Sequence, residues 1–396
     1  VFIGLADSFK TKPFPMSKIK LLIVFFVLML TFSCKEKETE SPVTWSLTPS
    51  GEKIQLPLDD STSNVSMGLE YFQSEKPLLF NSNRNNNSLQ IYDLDGQTLV
   101  KEIRFEREGD QGTALGHFHV QSLDSIFIFP EMSPFIILTD TSGTIKSRIR
   151  FSLPEGYPMI FVHNSYYVSP PVVRGKELIV KVRLDGNPSS INQEALDGKK
   201  LLAAINLEDG STRLLPFGFP KDYLSNGQKQ FEFSVAGNHG KTVASYMGDH
   251  QVYFSNSENE PMQPKSAKSQ YLDETMPTFP KDVDGRGFSA YFFAKSRYES
   301  LIHDPYRNVY YRFAYPTVVA ETDEELRALR ASPGPFVVMV LDEDLNVLAE
   351  TKFDSGTYLP SNFFVGEKGL YLSLSHPDNP ANQEDQFAFE LIQLKE

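Results

Sequence analysis

The sequence predicts an all-β chain: a six-bladed β-propeller closed by its own N-terminal strand, with one short inserted helix. Three observations carry this. First, one pattern recurs, at Leu89–Phe105 (LQIYDLDGQTLVKEIRF), Phe135–Phe151, Leu201–Phe217 and Phe336–Phe353. Each copy has two runs rich in alternating apolar residues around a short polar turn. In the first the turn is Asp95-Gly96, a type I′ signal, because Gly takes positive φ without steric cost. Second, the copies fall within about six units of roughly 40–65 residues with three or four strands each, and radially repeated four-stranded sheets are the propeller pattern. Third, an orphan hairpin precedes the first unit while the last unit is short of strands. Pairing the two closes the ring and removes exposed sheet edges. A pair of β-sandwiches would require a linker near the middle of the chain, and none is evident.

In chain order, Val43–Leu58 reads as a hairpin turning at Ser50-Gly51. Met67–Phe80 offers two strands, and Asn81–Ser88 reads as a polar loop. The second unit spans about His117–Phe151, with Pro130 and Pro134 as breakers. The third begins near Met159, with strands at Tyr166–Val168 and Leu178–Leu184. A polar insertion, Gly186–Lys200, has room for one helical turn. The fourth, Phe231–Lys268, has three short strands, and a long proline-containing loop covers Asn256–Asp284. The fifth starts near Gly287 and holds the one good helix expected after the signal region, Asp323–Ala331. Thr322 can cap it, Glu325 completes a capping box, and Pro333-Gly334 stops it. The sixth is Asn362–Leu394.

The chain has 396 residues, 40% of them hydrophobic, enough to bury a large core and too many for a disordered chain. Its N-terminus reads as a secretory signal. Met16 is followed by Lys18 and Lys20, then the apolar run Leu21–Leu30, short for a membrane span, with an uncleaved N-terminal anchor helix as the alternative reading. Val1–Pro15 reads as an over-extended start. Residues 1–33 form the signal segment, 34–43 a lipidated tether and 44–396 the propeller domain. Cys34 is the only cysteine, so no disulfide framework exists. The sequence Thr31-Phe32-Ser33-Cys34 resembles the lipobox of bacterial lipoproteins, which implies a diacylated Cys34 at the mature N-terminus. That implies a membrane anchor and a place in the cell envelope, at the outer membrane on its periplasmic or surface face. Net charge is −13, and near −16 once residues 1–33 are removed, which argues against nucleic-acid binding.

His303–Phe313 (HDPYRNVYYRF), together with the lipobox and the repeats, resembles the uncharacterised Bacteroidetes-type lipoproteins of domain-of-unknown-function family 4221, related to six-bladed propeller lipoproteins. That family carries no assigned activity, so the resemblance supplies no catalytic residue.

Chemical motifs are sparse. No nucleophile elbow, P-loop, dinucleotide fingerprint or His-Glu-x-x-His is present. Asp93-x-Asp95-Gly96 lacks the downstream Glu of a calcium loop and reads as a turn. His117 and His119 share a face if they lie on a strand, but read as ordinary loop histidines, and His239 and His250 as surface residues. The leading expectation is a non-catalytic module binding a ligand or an envelope protein through the channel mouth. Tyr306, Arg307 and Arg312 are its candidate contacts, because guanidinium forks and tyrosine rings suit anionic or sugar-like ligands. The alternative is a metal-dependent, calcium-type propeller hydrolase or lactonase. The scaffold resembles enzymes that hold a divalent metal on the axis with oxygen ligands from different blades, and Glu70, Asn164 and Asp304 are placed to converge in that way.

Overall fold

The computed structural model describes residues 45–109, 112–238, 240–280 and 284–396. The signal segment, the tether with Cys34, and His239 lie outside the described residues. The chain from Trp45 onward forms one compact unit, built of six antiparallel sheets.

Strand β1 (Ser46–Pro57) comes first. Blade 1 is β2 (Leu69–Gln73), β3 (Pro77–Asn83), β4 (Ser88–Asp93) and β5 (Thr98–Arg104); blade 2 is β6 (His117–Ser122), β7 (Ser125–Phe129), β8 (Phe135–Thr139) and β9 (Ser147–Arg150). Blade 3 has a divided first strand, β10 (Ile160–Phe161) and β11 (Val172–Arg174), then β12 (Glu177–Val182), β13 (Leu202–Asn206) and β14 (Thr212–Leu214). Blade 4 is β15 (Phe233–Asn238), β16 (Lys241–Tyr246), β17 (Gln251–Ser255) and β18 (Gln263–Ser266); blade 5 is β19 (Arg297–Asp304), β20 (Val309–Tyr315), β21 (Phe336–Leu341) and β22 (Val347–Phe353). Blade 6 is β23 (Leu359–Gly366), β24 (Gly369–Ser373) and β25 (Gln386–Lys395), with β1 as its fourth strand. The recurring sequence pattern is therefore the third-and-fourth-strand hairpin of blades 1, 2, 3 and 5.

Closure by the N-terminal strand follows the sequence expectation, but Val43–Leu58 does not fold as a hairpin. It is one long strand against β25, with a bulge between Pro49 and Lys53 where Gly51 takes φ +79°. A ten-residue partner strand makes continued pairing possible, and the glycine serves the bulge instead of a turn. The turn at Asp95-Gly96 also differs. Asp93 Oδ1 accepts from the backbone N–H of both Asp95 and Gly96 at 3.0 Å, and the positive φ falls at Gln97. The side chain of Asp93 thus organises a longer loop in place of the two-residue turn.

The core is distributed as six wedges, one between each pair of neighbouring blades. Inner strands are consequently buried on both faces, and β21 (FVVMVL) has no exposed residue. Such strands read as continuous apolar runs and not as alternation.

Three short helices occur among the described residues: α1 (Gln193–Leu196), α2 (Gly285–Phe293) and α3 (Asp323–Ala331). α3 has the expected limits and capping box. α2 was not expected. It is capped by Asp284, whose side chain accepts from the Gly287 N–H at 2.6 Å, and its aromatic residues pack on Phe279. The presumed loop Asn256–Asp284 also supplies β18, the outer strand of blade 4.

All first strands run the same way around the axis, which gives the ring two unlike ends. The first-to-second and third-to-fourth strand connections span only two to seven residues and gather at one end. The other connections span four to thirty residues and carry all three helices. Variable, long loops on a rigid scaffold are where binding surfaces are usually built.

Candidate functional site

The axis is blocked. Between β10 and β11 the chain leaves the first-strand path of blade 3 and makes an excursion, Val162–Pro171, pinned at its base by a bridge between His163 and Ser169. Pro170 and Pro171 lack N–H donors, so this part of the strand cannot continue the ladder. The excursion touches the innermost strand of every other blade. Asn164 donates to Phe118 O at 2.9 Å, accepts from Phe118 N at 3.1 Å, and lies 3.5 Å from Glu70 Oε2. Ser165 Oγ donates to Ser361 O at 3.2 Å. Val168 N donates to Ser300 Oγ at 3.2 Å, and Val168 O accepts from Ser234 Oγ. Blades 4, 5 and 6 meet it through serines, small enough for a filled axis. A Cβ on Gly68 would fall 2.7 Å from Ser82 Oγ and 3.3 Å from Asn164 Cβ.

At the tip, Tyr166 and Tyr167 are both left-handed, with φ of +51° and +49°. Two consecutive non-glycine residues in that region cost on the order of 1–2 kcal/mol each, and the bonds around them hold the conformation. The expected strand at Tyr166–Val168 is thus replaced by a turn. Tertiary contacts override the β-propensity of Tyr-Tyr-Val.

Beneath the tyrosines, β19 contributes Arg297 and Glu299, both buried. The Arg297 guanidinium sits 4.0 Å from the centre of the Tyr315 ring, and the Tyr315 hydroxyl donates to Glu299 Oε1 at 3.4 Å. Burial pushes the Glu299 carboxyl up to about 7, against the opposing influence of Arg297 and of the Tyr315 hydroxyl.

Two of the three expected axial metal ligands do come together. Glu70 lies beside Asn164, with His119 Nδ1 2.8 Å from Glu70 Oε1 and the Val120 N–H donating to the same oxygen at 3.0 Å. Burial disfavours the His119 imidazolium, but the Glu70 charge and hydrogen bond outweigh it and raise the pKa. These bonds tie blades 1, 2 and 3 together. Asp304 is elsewhere, at the far end of β19 among the short hairpins. There it accepts from Arg307 Nη1 (2.8 Å), the Tyr311 hydroxyl (2.9 Å) and the N–H of Tyr306 and Arg307. The three therefore do not converge: Asp304 ends its strand pointing into a turn that consumes its carboxylate.

Tyr306, Arg307 and Arg312 do not form one cluster at a channel mouth, because Arg312 is buried away from the other two. The expected alternation on β20 holds, with Arg312 and Tyr310 opposite Val309, Tyr311 and Phe313. Arg312, however, has no exposure. It spends its donors on Ser245 Oγ and on the carbonyls of Asp249, His250, Gln251 and Ala267, and lies 3.3 Å from the centre of the Tyr298 ring. It is a strut between blades 4 and 5. Arg307 bridges Asp304 to the Glu367 carbonyl of blade 6, and Tyr306 is exposed beside it at the short-hairpin end. His250 is half-buried, 3.0 Å from the Tyr298 hydroxyl, and is not the surface residue expected. The Asn81–Ser88 segment is likewise not wholly a solvent loop, since Asn81, Asn83 and Asn87 are buried and hydrogen-bonded.

Two cavities open beside the blocked axis at the long-loop end, and no simple sequence signal marks them. One, of about 210 Å³, lies between blades 2 and 3 and is lined by His117, Met132, Met159 and Phe161 among others. His117 and His119 are strand residues of β6, not loop residues. The His117 and His163 rings lie 5.7 Å apart, and Nδ1 of each is buried without a hydrogen-bond partner. Burial, with the nearby Arg84 and Lys181 charges, pulls His117 down to about 4, and His163 is also held well below its usual value, chiefly by burial. The second cavity, of about 400 Å³, lies between blades 3 and 4 and shares Phe161 and Arg183 with the first. No cluster of three metal-ligating side chains occurs among the described residues.

The comparisons agree with this architecture. A crystal structure of a DUF4221 family member from Bacteroides vulgatus superposes with a TM-score of 0.78 at 22% identity, covering 90% of this chain and 99% of that one. A protein from Bacteroides fragilis, assigned as exported by inference, superposes with a TM-score of 0.51 at 11% identity, covering 91% of this chain and 98% of that one. No curated protein matches the sequence. The model of the domain of unknown function DUF4221 matches residues 45–352, most of the propeller, and the chain belongs to that family.

Proposed function

We propose that this chain is an extracytoplasmic, lipid-anchored binding module whose ligand site is the long-loop end of the propeller. One observation carries the reading: the axis is sealed by Val162–Pro171, and the open cavities between blades 2, 3 and 4 lie on the same end as the long loops. A sealed axis leaves the ring without a through-channel and turns that end into a floor with walls. Exposed apolar side chains also gather there, among them Met132, Tyr166, Phe288 and Val319. The signal pattern and Cys34 support an anchored location outside the cytoplasm, and the exported assignment of the Bacteroides fragilis relative agrees with it.

The test is a thermal-shift screen of small organic anions, sugars and peptides, with hits mapped by hydrogen exchange. Protection of 162–171 and of the loops around α2 supports the reading. Hits that protect only the short-hairpin end, around 305–308, would overturn it. Calcium and a chelator belong in the same screen, because a chelator-sensitive calcium stabilisation would favour the hydrolase alternative.

A further inference from the structure

We infer that the cavity between blades 3 and 4 binds a small organic anion with an aromatic or branched apolar body. The inference rests on the reading that the long-loop end is the binding face, and adds the chemistry of what binds there.

The charge arrangement comes first. Lys181 is 4% exposed and lines the cavity, yet it forms no ion pair. Its ammonium donates to the Phe233 carbonyl and lies 4.3 Å from the centre of the Phe233 ring. A buried ammonium has three donors to satisfy, and an uncompensated buried charge is costly. Arg183, on the same rim, is exposed, and its guanidinium lies 6.0 Å from the centre of the Phe161 ring without a carboxylate partner. The one acid lining the cavity is Glu232, which favours the Lys181 ammonium from a distance but makes no direct ion pair with either cation. The cavity therefore carries a surplus of one positive charge inside a protein of net charge −13. A monoanion balances it.

The body of the ligand follows from the walls. Phe161, Phe233 and Phe288 supply aromatic faces, and Phe288 on α2 is 46% exposed, with no blade covering it. A cavity of about 400 Å³ is within the range of small-molecule sites. An inorganic anion would leave those faces in water, and a neutral aromatic would leave the ammonium without a partner. Only a molecule with both parts satisfies the whole lining.

The experiment uses two probes with the same aromatic framework, 1-anilinonaphthalene-8-sulfonate and its uncharged analogue N-phenyl-1-naphthylamine. Both are titrated by fluorescence and calorimetry against the full propeller domain. We expect one sulfonate probe per chain, bound at least tenfold more tightly than the neutral analogue. Lys181→Met and Arg183→Gln should each weaken the sulfonate probe, Lys181→Met at least tenfold, while leaving the neutral probe unchanged. Phe288→Ala should weaken both. Arg183 is exposed, so its variant keeps the test sound if Lys181→Met disturbs folding, and melting curves identify that case. Equal binding of the two probes, insensitivity of the sulfonate probe to both cation variants, or no binding at all would overturn the inference. Hits from the screen that protect the long-loop end without needing Lys181 would leave the broader reading standing.

Discussion

Replacing Glu299 by Gln should make the propeller more stable at pH 8 and leave it nearly unchanged at acid pH. Glu299 is 5% exposed and its carboxyl is raised by burial to about 7, from an ordinary 4.5. The groups around it are Arg297, the Tyr315 hydroxyl, Tyr166 and Tyr167, and these do not fully compensate an ionised carboxylate. Because the folded form holds the proton more tightly, its contribution is fully present below about pH 4.5. It is lost as pH rises to about 7, and stays lost above that. The gap between the two values corresponds to about 3 kcal/mol at about 1.4 kcal/mol per pH unit. A domain of this size unfolds with an entropy of about 0.7 kcal/mol/K, so the gain for the neutral Gln is about 4 °C in Tm at pH 8 and under about 1 °C at pH 4.5. Thermal unfolding of the two proteins from pH 4.5 to 8 measures it. Parallel curves for wild type and Glu299→Gln would show that the carboxylate is well solvated or paired, and would refute the reasoning.

Three further outcomes are expected. Arg312→Ala strands four backbone carbonyls and Ser245 Oγ between blades 4 and 5 and should cost at least ~4 kcal/mol, whereas Arg307→Ala leaves Asp304 three other donors and should cost about 1–2 kcal/mol; denaturant titration separates the two. Deleting Ser46–Pro57 removes the partner of β25 and the buried Leu47, Ile54 and Leu56, about 5–8 kcal/mol of apolar burial, so the product should elute as aggregate or unfolded chain in gel filtration. Cys34→Ala should abolish acyl labelling and release the protein from the membrane fraction; a variant still membrane-bound and normally processed would count against the lipid anchor.

The fold was legible because turn residues and the apolar runs between them are local signals. The hairpin of Leu89–Phe105 and its copies announced the blades, and the Thr322/Glu325 pair set the start of α3. What stayed hidden depends on contacts distant in sequence. α2 (GRGFSAYFF) has two glycines and several β-favouring aromatics, so propensity argues against a helix that packing on Phe279 supports. Tyr166-Tyr167 looks extended until the bonds from Ser300 and Ser234 impose a left-handed turn. The Arg and Tyr residues of His303–Phe313 gave the right strand faces but, for Arg312, the wrong role. Sequence shows that a guanidinium is present, not whether backbone carbonyls already occupy its donors, as they do for Arg312. Lys181 is hidden for the complementary reason: its lack of a direct ion pair is visible only once the ring is assembled.

The excursion at Val162–Pro171 also acts as a gauge of blade number. Its side chains and backbone meet one partner in each of the other five blades, at hydrogen-bond distances that fix the radius of the ring. A ring with a blade lost or duplicated would have a different radius, and the same ten residues would either collide with it or hang unsupported. An open-bored propeller can tolerate such a change, because each sheet contacts only its neighbours. In this chain, gain or loss of a blade requires simultaneous redesign of the central segment, so the sixfold count is locked from the inside as well as at the seam where β1 meets β25.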